Sequence, residues 1–171
     1  DNLRVVGVGG LGPDFTAEYC RTENKARIIE FLRAADFAIA DTQIEDVPLD
    51  STLPEKAREA FRTEILEELG RHTRPQITTL HRTNTGETIE LDFFSESDGT
   101  QKLFSFAAPW IDALANGYVV AVDELHGSLH PLLVRYLVQL FQSPETNKYG
   151  AQLLFTTHDT SILNQDIFRR D

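Results

Sequence analysis

The sequence predicts an α/β fold with a mostly parallel sheet, and three observations in its second half support this. Two short runs of apolar residues, 118–122 and 151–155, have the composition of buried strands. The segment between them, 132–141, repeats its apolar residues at helical spacing. A strand, a helix and a second apolar strand indicate a parallel sheet that is covered on both faces.

The first half of the chain predicts a smaller lobe, residues 1–92, that contains two amphipathic helices. Apolar residues at helical spacing predict these helices over 23–37 and 54–69. The many charges of both helices are expected to face solvent. The apolar face of the second helix is formed by Ala57, Phe61, Ile65 and Leu69.

Three β-prone segments complete the lobe. Residues 39–47 alternate as an exposed strand would, and the runs 76–82 and 87–94 flank Asn84-Thr85-Gly86, a hairpin signal. A second part is expected over residues 93–171, beginning with a helix around 103–114.

The opening Gly7-Val8-Gly9-Gly10-Leu11-Gly12 matches the glycine pattern of a dinucleotide-binding turn. Pro13 follows at once, and residues 14–16 lack the apolar stripe of the helix that such a turn requires. We therefore expect a flexible glycine turn here, and a dinucleotide-binding site is the alternative.

Charge and composition narrow the function classes. The formal net charge of the 171 residues is −11, whereas broad neutralisation of phosphates needs clustered Lys and Arg, so this segment does not indicate nucleic-acid binding. We expect a cytoplasmic protein without a membrane span or signal peptide, and Cys20 alone cannot form an internal disulfide. Because the chain begins with Asp1 and contains no methionine, a fragment of a longer protein is expected.

Two carboxylates, Asp123 and Glu124, come directly after the apolar strand. Ligands bind at the carboxyl edge of a parallel sheet, where this strand ends. Consecutive side chains diverge there, so one carboxylate can hold the water shell of Mg²⁺ while the other points to an attacking water. An acidic strand end that caps a helix is the structural alternative, so the pair alone is moderately specific.

Ser97-Asp98-Gly99-Thr100 leads directly into the helix around 103–114. Ser97 or Asp98 makes a good N-cap, which is a purely structural role. The same helix end offers free N–H groups, a hydroxyl and a partial positive charge, all of which suit a phosphate.

The second apolar strand ends in Thr156-Thr157-His158, and residues 127–131 predict a turn before a helix. A lone histidine is usually structural. Here the parallel strands would bring His158 beside Asp123 and Glu124, so a hydrogen bond from its ring to a phosphate oxygen is physically reasonable.

The order of these motifs resembles that of the ABC-type ATPases, which include SMC and DNA-repair heads. The phrases 96–100, 123–126, 129–131 and 155–160 resemble most closely bacterial AAA-type ATP-binding proteins of the abortive-infection and overcoming-lysogenisation kind. The resemblance covers residues 93–171, and the preceding residues match only as a variable lobe. It implies a P-loop NTPase head that binds ATP and Mg²⁺ and hydrolyses ATP.

Three residue roles within one copy follow from the resemblance. Asp123 would support Mg²⁺ through water, Glu124 would be the general base that polarises the attacking water, and His158 would contact the γ-phosphate.

Further roles imply a homodimer that encloses two nucleotides. Ser97, Gly99 and Thr100 resemble the signature that meets ATP bound to the other copy. Ser128 and His130 belong to the loop that links the two sites.

The sequence also departs from this family pattern. Asp98 stands where transporters carry glycine, and no Gly-x-x-x-x-Gly-Lys-[Ser/Thr] loop occurs, so the isolated segment is expected to be inactive. We expect that loop upstream of Asp1. The sequence does not place a glutamine loop, for which Gln43 and Gln76 are the candidates. A role in phage defence or in a DNA-associated process would rest on the resemblance alone.

Two other interpretations stay open at this point. One is a catalytically silent interaction module on the same fold. The other is a metal-dependent hydrolase, whose candidate ligands are Asp123, His126, His130, His158 and Asp159.

Overall fold

A computed structural model describes residues 12–35, 38–70, 72–83 and 85–158 of the chain. Its elements form a helical layer, an antiparallel sheet and a parallel pair of strands. In chain order they are α1 (Asp14–Cys20), α2 (Lys25–Ala34), β1 (Ile39–Pro48), a 3-10 turn (Leu49–Thr52), α3 (Glu55–Ala60), α4 (Thr63–Gly70), β2 (Thr73–Arg82), β3 (Thr88–Asp92), a 3-10 turn (Phe93–Ser95), α5 (Asp98–Asn116), β4 (Val119–Val122), α6 (Pro131–Gln142) and β5 (Gln152–Phe155).

The antiparallel sheet has the strand order β1-β2-β3, with Ile44 opposite Ile77 and Thr79 opposite Leu91. These strands confirm the three β-prone segments of the sequence. Gly86 has a φ of +87° in the β2–β3 turn, a conformation that glycine adopts without the strain of a Cβ. The neighbouring Asn84 lies outside the described residues.

The parallel pair consists of β4 and β5, with Val120 opposite Leu153 and Val122 opposite Phe155. The helix α6 lies between them in sequence, as predicted. The mixed α/β class is therefore confirmed. The described residues contain three antiparallel strands and two parallel ones, so they do not by themselves form a mostly parallel sheet.

The predicted single helix over 54–69 is wrong in one respect, because it is broken into α3 and α4. Phe61, between them, is extended, with φ −89° and ψ 144°. Neither short helix buries a residue, and Phe61 and Ile65 keep 43% and 44% of their surface exposed. A helix of this length is stable mainly when its apolar face packs against the protein. Because neither helix buries a residue, packing does not hold 54–69 in one continuous helix.

The helix α1 follows Pro13 directly, although residues 14–16 lack an apolar stripe. Its buried residues are Thr16, Ala17 and Cys20, which share one helical face. These side chains are small or polar, so the sequence shows no apolar stripe at these positions. Most of the preceding glycine turn, residues 7–11, lies outside the described part.

The helix α5 forms the centre of the hydrophobic core. Phe106 and Trp110 stack with ring centroids 4.8 Å apart, and Trp110 Nε1 donates a hydrogen bond to the carbonyl oxygen of Leu137 in α6, at 3.3 Å. The helices α1 and α2 pack against α5 on another side. The boundary between residues 92 and 93 stays a prediction. None of the helices in the described ranges is long and apolar enough to span a bilayer.

Pro109 lies inside α5 and removes one helical hydrogen bond, because it has no N–H to donate to the carbonyl of Ser105. The fully buried Thr16 of α1 lies at this gap. Its Oγ1 is 3.5 Å from the Ser105 carbonyl oxygen and accepts from the N–H of Ala108 at 3.2 Å. A buried hydroxyl thus joins α1 to α5 where α5 is interrupted.

Replacing Thr16 by Val should lower the free energy of unfolding by roughly 1–3 kcal/mol, because buried polar backbone groups lose their partner. Thr16→Ser keeps the oxygen and should cost less than Thr16→Val. Equilibrium urea unfolding measures both. Equal stability of the Val variant and the wild type would contradict a role for this hydroxyl.

Candidate functional site

The candidate site lies where β4 and β5 end. Asp123 and Glu124 directly follow β4, and residues 156–158 directly follow β5. Because the strands are parallel and Val122 lies opposite Phe155, both chain segments leave the sheet at the same edge. The structure therefore brings together the two segments that the sequence placed there.

Thr156 shapes the turn that carries the two carboxylates. Its backbone N–H donates to the Val122 carbonyl oxygen at 3.0 Å, and its carbonyl oxygen accepts from Leu125 N–H at 3.0 Å. Its Oγ1 accepts from Glu124 N–H at 2.8 Å and donates to Asp123 Oδ1. Thr156, the residue after β5, thus contacts Val122 at the end of β4 and the three residues that follow it.

Glu124 has a φ of +51°, in the left-handed region that residues with a Cβ seldom adopt. Its Oε1 lies 3.3 Å from His158 Nε2, and the two side chains are 60% and 82% exposed. A polar contact between two side chains this exposed is weak in water. The geometry therefore leaves both groups accessible and free to exchange partners.

His126 lies behind this pair. Its Nδ1 is 3.2 Å from Thr157 Oγ1, and its ring meets the His158 ring edge to face, with centroids 5.7 Å apart and planes at 75°. Sequence reasoning had named His126 only as a possible metal ligand. In the structure its ring is a direct neighbour of the His158 ring.

Lys102, in the second turn of α5, was missed by sequence reasoning. Its Nζ lies 3.4 Å from the Glu124 carbonyl oxygen and 5.6 Å from the centroid of the Phe106 ring. Burial lowers the pKa of Lys102 from its ordinary value, while the charge of Glu124 acts in the opposite direction. A cation thus lies beneath the acidic turn, and no motif in a single sequence marks it.

Ser97 is the N-cap of α5, so the predicted capping role is confirmed for Ser97. Ser97 Oγ accepts from Thr100 N–H at 3.2 Å and lies 2.7 Å from Thr100 Oγ1. Thr100 is buried, so its hydroxyl serves the cap and not the surface. A Cβ on Gly99 would come within 3.1 Å of the Ser128 carbonyl oxygen, which places this helix end directly against the 128 loop.

Ser128 and His130 lie in that loop. Ser128 is exposed and has a φ of +61°, while the buried Leu129 anchors the loop to the core. His130 is the N-cap of α6, where its Nδ1 accepts from Leu132 N–H at 3.3 Å. His130 therefore has a structural task that the sequence interpretation had not assigned to it.

Glu96 is a second residue whose contacts sequence reasoning missed. Its side chain is 8% exposed, and its Oε1 accepts from Thr79 Oγ1 and lies 2.6 Å from His81 Nε2. The amide of Gln101 also donates to the Glu96 carbonyl oxygen at 2.8 Å. The contacts with Thr79 and His81 attach Glu96, the residue before the Ser97 cap, to β2 of the antiparallel sheet.

Comparison with known families gives one match. A family model described as "AAA domain, putative AbiEii toxin, Type IV TA system" matches residues 14–164. The chain belongs to this AAA family. No curated protein and no solved structure matches the chain. Family membership supports a nucleotide-binding domain of the ATPase type.

The donor set of this AAA domain fits Mg²⁺ held with a nucleotide. Mg²⁺ is bound through one or two carboxylates, water and substrate phosphates. Asp123 Oδ2 has no hydrogen bond to any residue in the described ranges, and the side chain is exposed.

A metal hydrolase would need a cluster of three or more ligands, and the described part of the chain has none. Asp159, one of its candidate ligands, lies outside that part.

Two clefts of the AAA domain, of about 920 Å³ and about 330 Å³, lie against α2 and β1. No residue of the 123–128 turn or of 156–158 lines either one, so these two clefts are separate from the candidate site.

The contacts of Glu96 predict a local stability effect. Thr79→Val removes a donor to a nearly buried carboxylate and should lower the free energy of unfolding by roughly 1–3 kcal/mol. Thr78→Val is the matched control, because Thr78 is next in the strand and its side chain points to the opposite face. Urea unfolding of both variants checks this, and equal losses would contradict the role of the Thr79 hydroxyl.

Proposed function

We propose that this AAA domain is part of a Mg²⁺-dependent ATP hydrolase. The observation that carries the proposal is the meeting of Asp123, Glu124 and His158 at one sheet edge, with Glu124 Oε1 3.3 Å from His158 Nε2. A carboxylate for the metal, a carboxylate for water and a donor for phosphate are the groups that phosphoryl transfer to water requires.

Asp123 would hold Mg²⁺ through water by the carboxylate oxygen that Thr156 does not occupy. The metal, bound with ATP, supplies positive charge to the phosphate oxygens. Asp123 would fix the orientation of that water shell, because its other oxygen accepts a hydrogen bond from Thr156 Oγ1.

Glu124 would accept a proton from the attacking water, and His158 would donate a hydrogen bond to the γ-phosphate. In the described structure the two side chains contact each other while remaining largely exposed. A weak, exposed pair is readily exchanged for contacts with a ligand. Binding of the nucleotide would therefore separate them, with His158 turning to phosphate and Glu124 to water.

A second copy would complete each site. The N-terminus of α5 carries Ser97 and Gly99, and it lies against the loop of Ser128 and His130. Both segments thus share one surface, as a nucleotide enclosed between two copies requires. Thr100 contributes by holding Ser97, since its own hydroxyl is buried.

Several finer features rest on the family resemblance. They are a mostly parallel P-loop head, a lysine loop that these 171 residues do not contain, and a role in phage defence or a DNA-associated process. A cytoplasmic location is proposed from the single cysteine of the chain. The description of the matching family, a putative AbiEii toxin of a type IV toxin–antitoxin system, supports the defence role. Nucleic-acid binding would involve other parts of a full-length protein, because this segment is acidic.

The proposal is tested by Glu124→Gln in the full-length protein. Glutamine keeps the size of the side chain but cannot accept the proton, so steady ATP hydrolysis should fall by roughly 100-fold or more, while ATP binding persists. Because bound ATP is then not consumed, the variant should accumulate as a dimer with ATP and Mg²⁺. A phosphate-release assay and light scattering after gel filtration measure the two effects.

Glu90→Gln is the control, because it makes the same chemical change on the exposed strand β3. It should hydrolyse ATP like the wild type. Unchanged turnover in Glu124→Gln would remove the base assignment, and a monomer under all nucleotide conditions would contradict the enclosed dimer.

A further inference from the structure

The hydroxyl of Thr156 lies between the two carboxylate-bearing residues of the turn. A threonine hydroxyl has one hydrogen to donate and two lone pairs to accept with. Here the hydrogen goes to Asp123 Oδ1, and a lone pair accepts from Glu124 N–H at 2.8 Å. One oxygen atom, just after β5, is therefore hydrogen-bonded to the first two residues after β4.

We propose that Thr156 is a positioning residue for ATP hydrolysis. Its hydroxyl selects the Asp123 oxygen that faces the metal, and it holds the Glu124 backbone in the conformation that directs the carboxylate of Glu124 toward His158. This inference rests on the proposed function and adds a residue to it that has no direct contact with the reacting atoms.

The first effect concerns the orientation of Asp123. A carboxylate at a strand end can rotate freely unless one oxygen is held. The bond from Thr156 holds Oδ1, and Oδ2 has no hydrogen bond to the described residues, so the oxygen left for a metal-bound water is always the same one. Partners that orient metal-binding carboxylates in this way tune both metal affinity and activity.

The second effect concerns the backbone of Glu124. The left-handed conformation, with φ +51°, is unfavourable for a residue with a Cβ and needs a compensating contact. The bond from Glu124 N–H to Thr156 Oγ1 is such a contact. Loss of this bond would allow the peptide to relax, and the carboxylate would then leave its place near His158.

The hydroxyl can be separated from the strand pairing. Thr156 also bonds through its backbone to Val122 and Leu125, and these bonds do not depend on the side chain. Its β-branched side chain has restricted rotamers, which keep the oxygen in place. Removal of the oxygen alone should therefore disturb the two acidic residues while the pairing of β4 with β5 persists.

The experiment compares Thr156→Val and Thr156→Ser in the full-length protein. For Thr156→Val we expect kcat to fall by roughly 10- to 100-fold. The dissociation constant of Mg²⁺, measured by titration calorimetry in the presence of a non-hydrolysable ATP analogue, should rise by roughly 10-fold or more. The KM for ATP should change little, because Thr156 is not assigned to nucleotide binding. Thr156→Ser keeps the oxygen and should retain most of the wild-type rate and Mg²⁺ affinity.

Two further comparisons keep the test decisive. Thr88→Val makes the same change on the exposed strand β3 and should behave like the wild type. If Thr156→Val fails to fold, the pair Thr156→Ser and Thr156→Ala, which differ by one oxygen atom, replaces it. The serine variant should then be active and the alanine variant impaired in kcat and in Mg²⁺ affinity.

The inference is overturned if the variants without the hydroxyl match the wild type in kcat and Mg²⁺ affinity. It is also overturned if serine is as impaired as alanine, because the methyl group and not the oxygen would then matter. Failure of the proposed function is a different result: the wild type itself would not hydrolyse ATP, or Glu124→Gln would leave its rate unchanged.

Discussion

The parallel register of β4 and β5 is the constraint on which the candidate site depends. Because Val122 lies opposite Phe155, the residues that follow each strand emerge side by side. Backbone bonds from Thr156 to Val122 and Leu125 then fix the turn, and the Thr156 hydroxyl bonds to both residues between them. A shift of one residue in this register would move Thr156 away from its partners and reverse the direction of the side chains. The arrangement of Asp123, Glu124 and His158 therefore follows from strand pairing.

The helix α5 connects this edge to the rest of the molecule. Its centre is buried among the other helices and the strands, and Thr16 compensates for the bond lost at Pro109. Its N-terminus, by contrast, lies on the surface beside the Ser128 loop, and Glu96 attaches the preceding residues to β2. The same helix thus has a rigid buried part and an accessible end, which suits a segment that meets a ligand on a fixed scaffold.

Sequence patterns predicted the elements whose signals are local. The apolar strands, the β2–β3 hairpin and the helix α6 all have strong periodicity or turn residues within a short window, and the edge where Glu124 meets His158 followed from their order. The helix α1 was missed because it buries small and polar residues such as Thr16. The contacts of Glu96, Lys102 and Thr156 were missed because their partners are distant in sequence, 15 residues for His81, 22 for the carbonyl of Glu124 and 33 for Asp123. Periodicity carries no information about such pairs.

The proposed roles of Asp123, Glu124 and His158 all require that Mg²⁺ and ATP bind at the edge formed by β4 and β5. A crystal structure of the full-length Glu124→Gln variant, grown with ATP and Mg²⁺, tests it most directly. We expect the metal beside Asp123 through water, the γ-phosphate within hydrogen-bond distance of His158, and the Ser97 helix end of a second copy on the same nucleotide. A nucleotide bound elsewhere, with residues 123–124 and 158 still facing solvent, would contradict it.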